Sequence, residues 1–162
     1  MDEAEDFVRR FADFWADPST EKMSALLTLD VLLIQPLSAP MSGLEAARAE
    51  FGKLFAWLPD LRATIDGWGV NGSALFIEFR LAATVGGKRV EWPVVDRFVM
   101  RGNKASKRVS YFDALPLVLQ LLKTPSAWLG WWRSGAARSW ASLEVSPAAP
   151  WRARAAQGDR SR

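Results

Sequence analysis

The run LRATIDGWGVNGSALFIEFRLAATVGGKRVEWPVVDRFVMRGNKASKRVSYFD, residues 61–113, decides the fold. Its side chains alternate along the chain with the two-residue period of β-strands. Turn residues interrupt the alternation at Asn71-Gly72, at Gly86-Gly87 and at Arg101-Gly102-Asn103, where hairpins would reverse the chain. The spacing predicts an antiparallel meander whose four strands cover 61–70, 73–85, 88–100 and 104–113.

The chain before this meander alternates between helical and extended patterns. Phe7, Phe11 and Trp15 recur at the spacing of one helical face, and the 44–57 segment shows the same period until Pro59 ends it. The predicted elements are helices at 3–16, about 20–27 and 44–57, a strand at 31–35 and a loop at 40–43. Helices on one face of a curved antiparallel sheet make an α+β fold.

Composition narrows the chemistry that this chain can perform. The 162 residues include no Cys and no His, which removes thiolate sites, the usual general base at neutral pH and the commonest metal ligand. We therefore expect no metal and no cofactor. Residues 1–6 are acidic, unlike a secretory signal, and no apolar run is long enough to span a bilayer, so we expect a cytoplasmic protein.

Three parts of the chain differ in composition. Residues 1–114 contain all the predicted strands and form the expected domain, and residues 115–135 are Leu- and Trp-rich and read as helical. Residues 136–162 combine Arg with Ala, Ser, Pro and Gly, which predicts a disordered basic tail. Trp128, Trp131 and Trp132 suit a lid, a dimer interface or a membrane anchor. The first two are favoured, and neither membrane nor nucleic-acid contact is expected.

The order of elements resembles that of SnoaL-like polyketide cyclases and limonene-epoxide-hydrolase-like proteins in the nuclear-transport-factor-2-like superfamily. The motifs that carry the resemblance are Gly43-Leu44-Glu45-Ala46, Leu58-Pro59-Asp60-Leu61 and Tyr111-Phe112-Asp113. It covers residues 3 to about 114. It implies a cone in which the concave sheet and the helices enclose a pocket for a hydrophobic small molecule that is polyketide-, terpenoid- or steroid-like.

The resemblance argues against epoxide hydrolysis. In the hydrolases an Arg, an Asp two residues later and a second Asp on the last strand project inward; these positions hold Arg80, Ala82 and Ser110. Ala and Ser cannot move the protons that this reaction requires. A Tyr and an Asn that hold water in the hydrolases fall near Leu33 and Gln35. Any catalysis would be acid–base isomerisation or cyclisation.

If Arg80 points inward, strand alternation determines which other side chains share its face and form the predicted site. The catalytic candidates are Asp96 and Arg80, and the substrate-binding candidates are Trp92, Glu78, Ser110, Phe112, Phe76, Gln35 and Trp15. Asp96 would be the general acid or base, because burial raises the pKa of a carboxyl group. The alternative is an inert ion pair between Arg80 and Asp96.

The same alternation has a consequence for assembly. It turns an apolar row outward, made of Leu75, Ile77, Phe79, Leu81 and Val95, and a row so apolar predicts a homodimer. The sequence therefore predicts a small-molecule-binding protein whose activity, if it is an enzyme, is cofactor-independent isomerisation or cyclisation. A non-catalytic binding or dimerisation module is the alternative.

Overall fold

Four α-helices and six strands follow one another in a computed structural model that describes residues 3–137. The helices are α1 (Glu3–Ala16), α2 (Leu44–Trp57), α3 (Leu115–Leu122) and α4 (Pro125–Ser134), with a 3-10 helix at Glu21–Ala25. The strands are β1 (Leu27–Ile34), β2 (Met41–Ser42), β3 (Arg62–Asn71), β4 (Ala74–Val85), β5 (Lys88–Arg101) and β6 (Lys104–Tyr111). The bounds of α1 and α2 agree with the prediction. The predicted disordered tail lies, after Ala137, outside the described residues.

The sheet is mixed, whereas the sequence predicted a wholly antiparallel one. Its strand order is β2-β1-β6-β5-β4-β3, and β1 runs parallel to β6 while every other neighbouring pair is antiparallel. Hairpins fix the direction of β3 to β6, and Gly72, Gly86 and Gly102 take the positive φ that their turns require. No hairpin joins β1 to β6, so their relative direction is set by the tertiary fold.

Four members of the predicted outward row, Leu75, Ile77, Phe79 and Leu81, lie on the inner face of β4, so the prediction is wrong for them. The fifth member, Val95 of β5, is exposed on the outer face as predicted. Leu81 lies opposite Trp92, Phe79 opposite Val94 and Ile77 opposite Asp96, and directly paired residues share a face of the sheet. Leu75, Ile77, Phe79 and Leu81 are all buried in the core. These four buried residues therefore cannot form a dimer surface.

Three predicted site residues lie on the outer face of β4 for the same reason. Arg80 is exposed and forms an ion pair with Asp66 on the neighbouring β3, at 2.9 Å. Glu78 is exposed, and Phe76 is half-buried beside Arg97 and Gly69 of the adjacent strands. Their predicted inward orientation is wrong, because the core takes the more apolar side of the strand.

Aromatic side chains of α1 fill the concave side of the sheet. Phe11 contacts Phe79 and Phe98 edge-on, with ring centroids 5.3 and 5.5 Å apart. Trp15 is buried beside Phe79. The predicted apolar stripe of α1 is thus the core contact of the helix.

The two C-terminal helices close one end of the molecule. Leu117 and Leu121 of α3 are buried, and the Trp128 indole N–H donates to the Leu121 carbonyl oxygen at 2.8 Å. Asp113 accepts a hydrogen bond from the Leu115 backbone N–H at 2.9 Å, which closes a turn immediately before α3. The opposite sides of α3 and α4 are exposed.

Candidate functional site

A mostly apolar cavity lies between the concave sheet face, α2 and α3. Its volume is about 90 Å³, against roughly 300–1,000 Å³ for pockets that hold drug-sized ligands. The lining residues include Trp15, Gln35, Leu54, Trp57, Leu81, Trp92, Val94, Arg108, Phe112 and Leu117. In this conformation the cavity admits only a compact ligand.

One edge of this cavity is a strained loop. Residues 36–38 line it, and Leu37 has a φ of 63°, the left-handed region that side chains with a Cβ rarely occupy. Such strain persists only where the surrounding structure holds it, and it is commonest at ligand-binding segments. The strained backbone at Leu37 thus supports this cavity as the candidate ligand-binding site.

The charged centre of the interior is an ion pair between Asp96 and Arg108. Arg108 Nε donates to Asp96 Oδ2 at 2.5 Å, and both side chains are buried. The sheet positions them, because Asp96 pairs directly with Ser110 and Arg108 points to the same face two residues away on β6. The partner of Asp96 is therefore Arg108, and the predicted pair between Arg80 and Asp96 is wrong.

Burial raises the pKa of Asp96 above its ordinary value. The positive charge of Arg108, the nearby Ser110 hydroxyl and the hydrogen bond from Arg108 lower the pKa, but they offset only part of this effect. Asp96 Oδ1 and Ser110 Oγ are buried, and neither makes a hydrogen bond of ordinary geometry within the described chain. The carboxyl group is thus incompletely satisfied.

Arg108 is the charged group that faces the cavity from the sheet. It lines the cavity, whereas Asp96 does not, so Asp96 reaches the cavity through Arg108. Arg108 also lies 5.6 Å from the centre of the Phe51 ring, a cation–π contact. Among residues 3–137, no hydrogen bond engages its Nη1 and Nη2 atoms. An arginine carries five N–H donors, so several remain for an acceptor in the cavity.

The structure brings together only part of the predicted site. Trp15, Gln35, Trp92 and Phe112 line the cavity. Asp96 and Ser110 are buried on the inner face but do not line it, and Arg80, Glu78 and Phe76 lie on the other side of the sheet. Arg108, the partner of Asp96, is not among the predicted site residues. Its signal was its position two residues before Ser110, on the strand face already predicted to point inward.

The described residues give no indication of a metal or of a membrane span. No cluster of three or more acidic side chains among residues 3–137 has the arrangement of a metal site. No helix in that range is both long and apolar enough to cross a bilayer.

Comparison with known protein families gives one assignment. The family described as the SnoaL-like domain matches residues 8–107, more than half of the chain. A comparison with curated proteins finds no match.

Solved structures with the same fold come from several bacteria. A protein described as a SnoaL-like polyketide cyclase from Jannaschia sp. CCS1 is 20% identical; the match covers 74% of this chain and 91% of that one, with a TM-score of 0.65. A ketosteroid-isomerase-like protein from Catenulispora acidiphila, in complex with trimethylamine, is 18% identical over 75% and 95%, with a TM-score of 0.66. A limonene-epoxide-hydrolase-like enzyme from M. tuberculosis is 20% identical over 78% and 95%, with a TM-score of 0.62. At these identities the likeness shows the fold alone.

Proposed function

Because this chain belongs to the SnoaL-like domain family, we propose that it binds a compact hydrophobic ligand through an oxygen acceptor on that ligand. The observation that carries the proposal is Arg108, whose terminal nitrogens have no hydrogen-bond partner in the described chain although the side chain is buried beside an apolar cavity. A carbonyl or carboxylate oxygen would satisfy these donors. Trp92 and Phe112 would contact the apolar body of the ligand.

The size of the cavity restricts the ligand class. A volume of about 90 Å³ suits one small ring. A larger polyketide, terpenoid or steroid would require its walls to move, and α3 is the wall with the most exposed opposite side. The Catenulispora protein of the same fold is in complex with a molecule as small as trimethylamine. No cofactor takes part in the proposal, and a cytoplasmic location stays a prediction.

Calorimetric titration with cyclohexanone, cyclohexanecarboxylate and methylcyclohexane tests the acceptor requirement. The two oxygen-bearing probes should bind, and methylcyclohexane should bind roughly ten- to a hundredfold more weakly, the loss expected for a hydrogen bond to a charged group. The Arg108→Met/Asp96→Leu variant should remove this discrimination without leaving a buried charge.

Arg80→Met is the matched control, since it removes an arginine from the outer face, and it should bind all three probes as the parent chain does. Equal affinity of the parent chain for the three probes, or its failure to bind any of them, would contradict the proposal.

Acid–base catalysis by Asp96 is the second candidate. Two observations favour it: burial raises the pKa of Asp96, which makes its carboxylate a stronger base, and its Oδ1 atom has no hydrogen bond of ordinary geometry among residues 3–137. Since Arg108 separates the carboxyl group from the cavity lining, Asp96 would act on a ligand only after the Arg108 side chain shifts. Arg108 would then stabilise the developing enolate oxygen.

Exchange of the α-protons of cyclohexanone in D₂O, followed by NMR, measures this chemistry directly. The parent chain should accelerate exchange, and Asp96→Asn should abolish the acceleration while cyclohexanone still binds. The reason is that the amide oxygen of Asn can accept a hydrogen bond from Arg108, whereas an amide is too weak a base to take up the α-proton. Unaltered exchange in Asp96→Asn would remove Asp96 from a catalytic role, and absence of acceleration in the parent chain would leave a binding protein.

A homodimer is proposed through the outer sheet face; of the five residues in the row first predicted to form the interface, Val95 alone lies there. Val95 and Tyr111 are exposed, are directly paired across β5 and β6, and lie near Val109 and the half-buried Phe76. An apolar patch with charges of both signs around it, such as Glu78 and Arg80, can be self-complementary. Native mass spectrometry should show a dimer that Val95→Lys converts to a monomer. A monomeric parent chain would contradict this.

A further inference from the structure

The exposed side of the C-terminal helices is unusually apolar. Six large hydrophobic residues there are between 42% and 64% exposed, and together they form what we term the C-terminal apolar face: Leu115, Leu119, Leu122, Trp128, Leu129 and Trp132. Leu115, Leu119 and Leu122 follow one stripe of α3, opposite the buried Leu117 and Leu121. Monomeric proteins seldom leave so much clustered apolar surface in water.

The lid predicted from the sequence accounts only for the inner side of this segment. Leu117 and Ala136 line the cavity, whereas the apolar face points away from it. Trp128 connects the two helices through its hydrogen bond to the Leu121 carbonyl oxygen. The β4–β5 turn fixes the same segment, because a Cβ added at Gly86 would lie 1.9 Å from Thr124 Cγ2. The exposed face therefore belongs to an anchored element.

The basic residues around the C-terminal apolar face indicate an anionic partner. Residues 114–137 include Lys123 and Arg133 and no acidic residue, and residues 138–162 contain five Arg against one Glu and one Asp. Five of the nine Trp of the chain also lie between 128 and 151. Leu and Trp beside Lys and Arg are the residues of helices that lie in the interface of an anionic bilayer, with the indole at headgroup depth.

The sequence alone did not favour membrane contact, but with this face exposed we propose that the C-terminal apolar face docks on an anionic phospholipid membrane, peripherally and without spanning it. A second copy of this chain is the poorer fit, since residues 114–137 of that copy offer Lys123 and Arg133 no acidic side chain with which to pair. This inference is independent of the proposed ligand. If both hold, docking places α3, a wall of the cavity, beside the bilayer in which hydrophobic compounds dissolve.

Co-sedimentation of the full chain with phospholipid vesicles tests the proposal. The chain should bind vesicles of phosphatidylcholine with about 30 mol% phosphatidylglycerol, and pure phosphatidylcholine should bind it about tenfold more weakly. Leu129→Glu/Trp132→Glu should reduce binding to the anionic vesicles about tenfold, because it places charge in the apolar face. Lys123→Gln/Arg133→Gln should weaken binding mainly at low salt.

Leu29→Glu is the matched control: Leu29 is 82% exposed on β1, outside this face, and its variant should bind as the parent chain does. The proposal is overturned if the parent chain does not bind the anionic vesicles. It is equally overturned if Leu129→Glu/Trp132→Glu binds them unchanged, which would assign the interaction to the basic tail. Two further results would overturn it. One is a dimeric parent chain that Leu129→Glu/Trp132→Glu converts to a monomer, and the other is preferential binding of a single-stranded DNA oligonucleotide over vesicles.

Discussion

Replacing Arg108 by Met is expected to lower the free energy of unfolding by about 3–5 kcal/mol at pH 8, the usual result of leaving a buried charge without its partner. The residue left behind is Asp96, which is fully buried and whose Oδ2 atom accepts from Arg108 Nε. Arg108 lowers the pKa of Asp96 through its charge and its hydrogen bond, so its removal raises that pKa further.

The direction of the pH dependence follows from proton binding. A carboxyl group with a raised pKa in the folded state holds its proton to higher pH there than in the unfolded chain. Stability therefore falls as the pH rises from the unfolded value, about 4, toward the folded pKa. In Arg108→Met this window extends upward, so the loss relative to the parent chain should be small near pH 4 and should grow toward pH 8. Urea denaturation at both pH values measures it.

Two comparisons isolate the cause. Asp96→Leu combined with Arg108→Met removes both charges and should recover most of the loss, because apolar replacement of a buried ion pair is often neutral or stabilising. Arg101→Met breaks the ion pair with Asp30, in which both side chains are mostly exposed, and should cost less than about 1 kcal/mol. A pH-independent effect of Arg108→Met would show that Asp96 stays ionised without Arg108, contrary to our account.

Phe79→Ala should destabilise the fold by about 3–5 kcal/mol, the range for removing a buried aromatic side chain. Phe79 is completely buried and contacts Phe11 and Trp15 of α1. The matched variant is Phe76→Ala on the same strand. Phe76 is half-buried on the outer face, so its loss should cost about 1 kcal/mol. Thermal and chemical denaturation measure both.

This pair of variants tests which side of β4 faces the core. The two residues are odd and even members of one strand, so their side chains point to opposite faces of the sheet. A larger loss for Phe76→Ala than for Phe79→Ala would restore the orientation first inferred from the sequence, with Arg80 and Glu78 inside. Similar losses would indicate that both faces of the sheet are covered, as in a dimer through the outer face.

Much of the fold follows from local patterns. The apolar stripe of α1, the end of α2 before Pro59 and the hairpin glycines each fix an element through contacts a few residues apart in the chain. The inward orientation of Trp92, Asp96 and Ser110 followed in the same way. The resemblance to the family predicted a site on the concave face of the sheet. It also predicted that Arg80 points inward, although the residues on the opposite side of the same strand are more apolar.

The sequence by itself determined the elements, and within each strand it determined which side chains share a face, because backbone geometry repeats every two residues. The tertiary structure decided which face is buried, since that depends on the strands and helices that pack across it. It also decided that Arg108 pairs with Asp96, that the cavity is small and that the C-terminal apolar face is exposed. Each of these is a relation between residues far apart in the chain, and no local period encodes it.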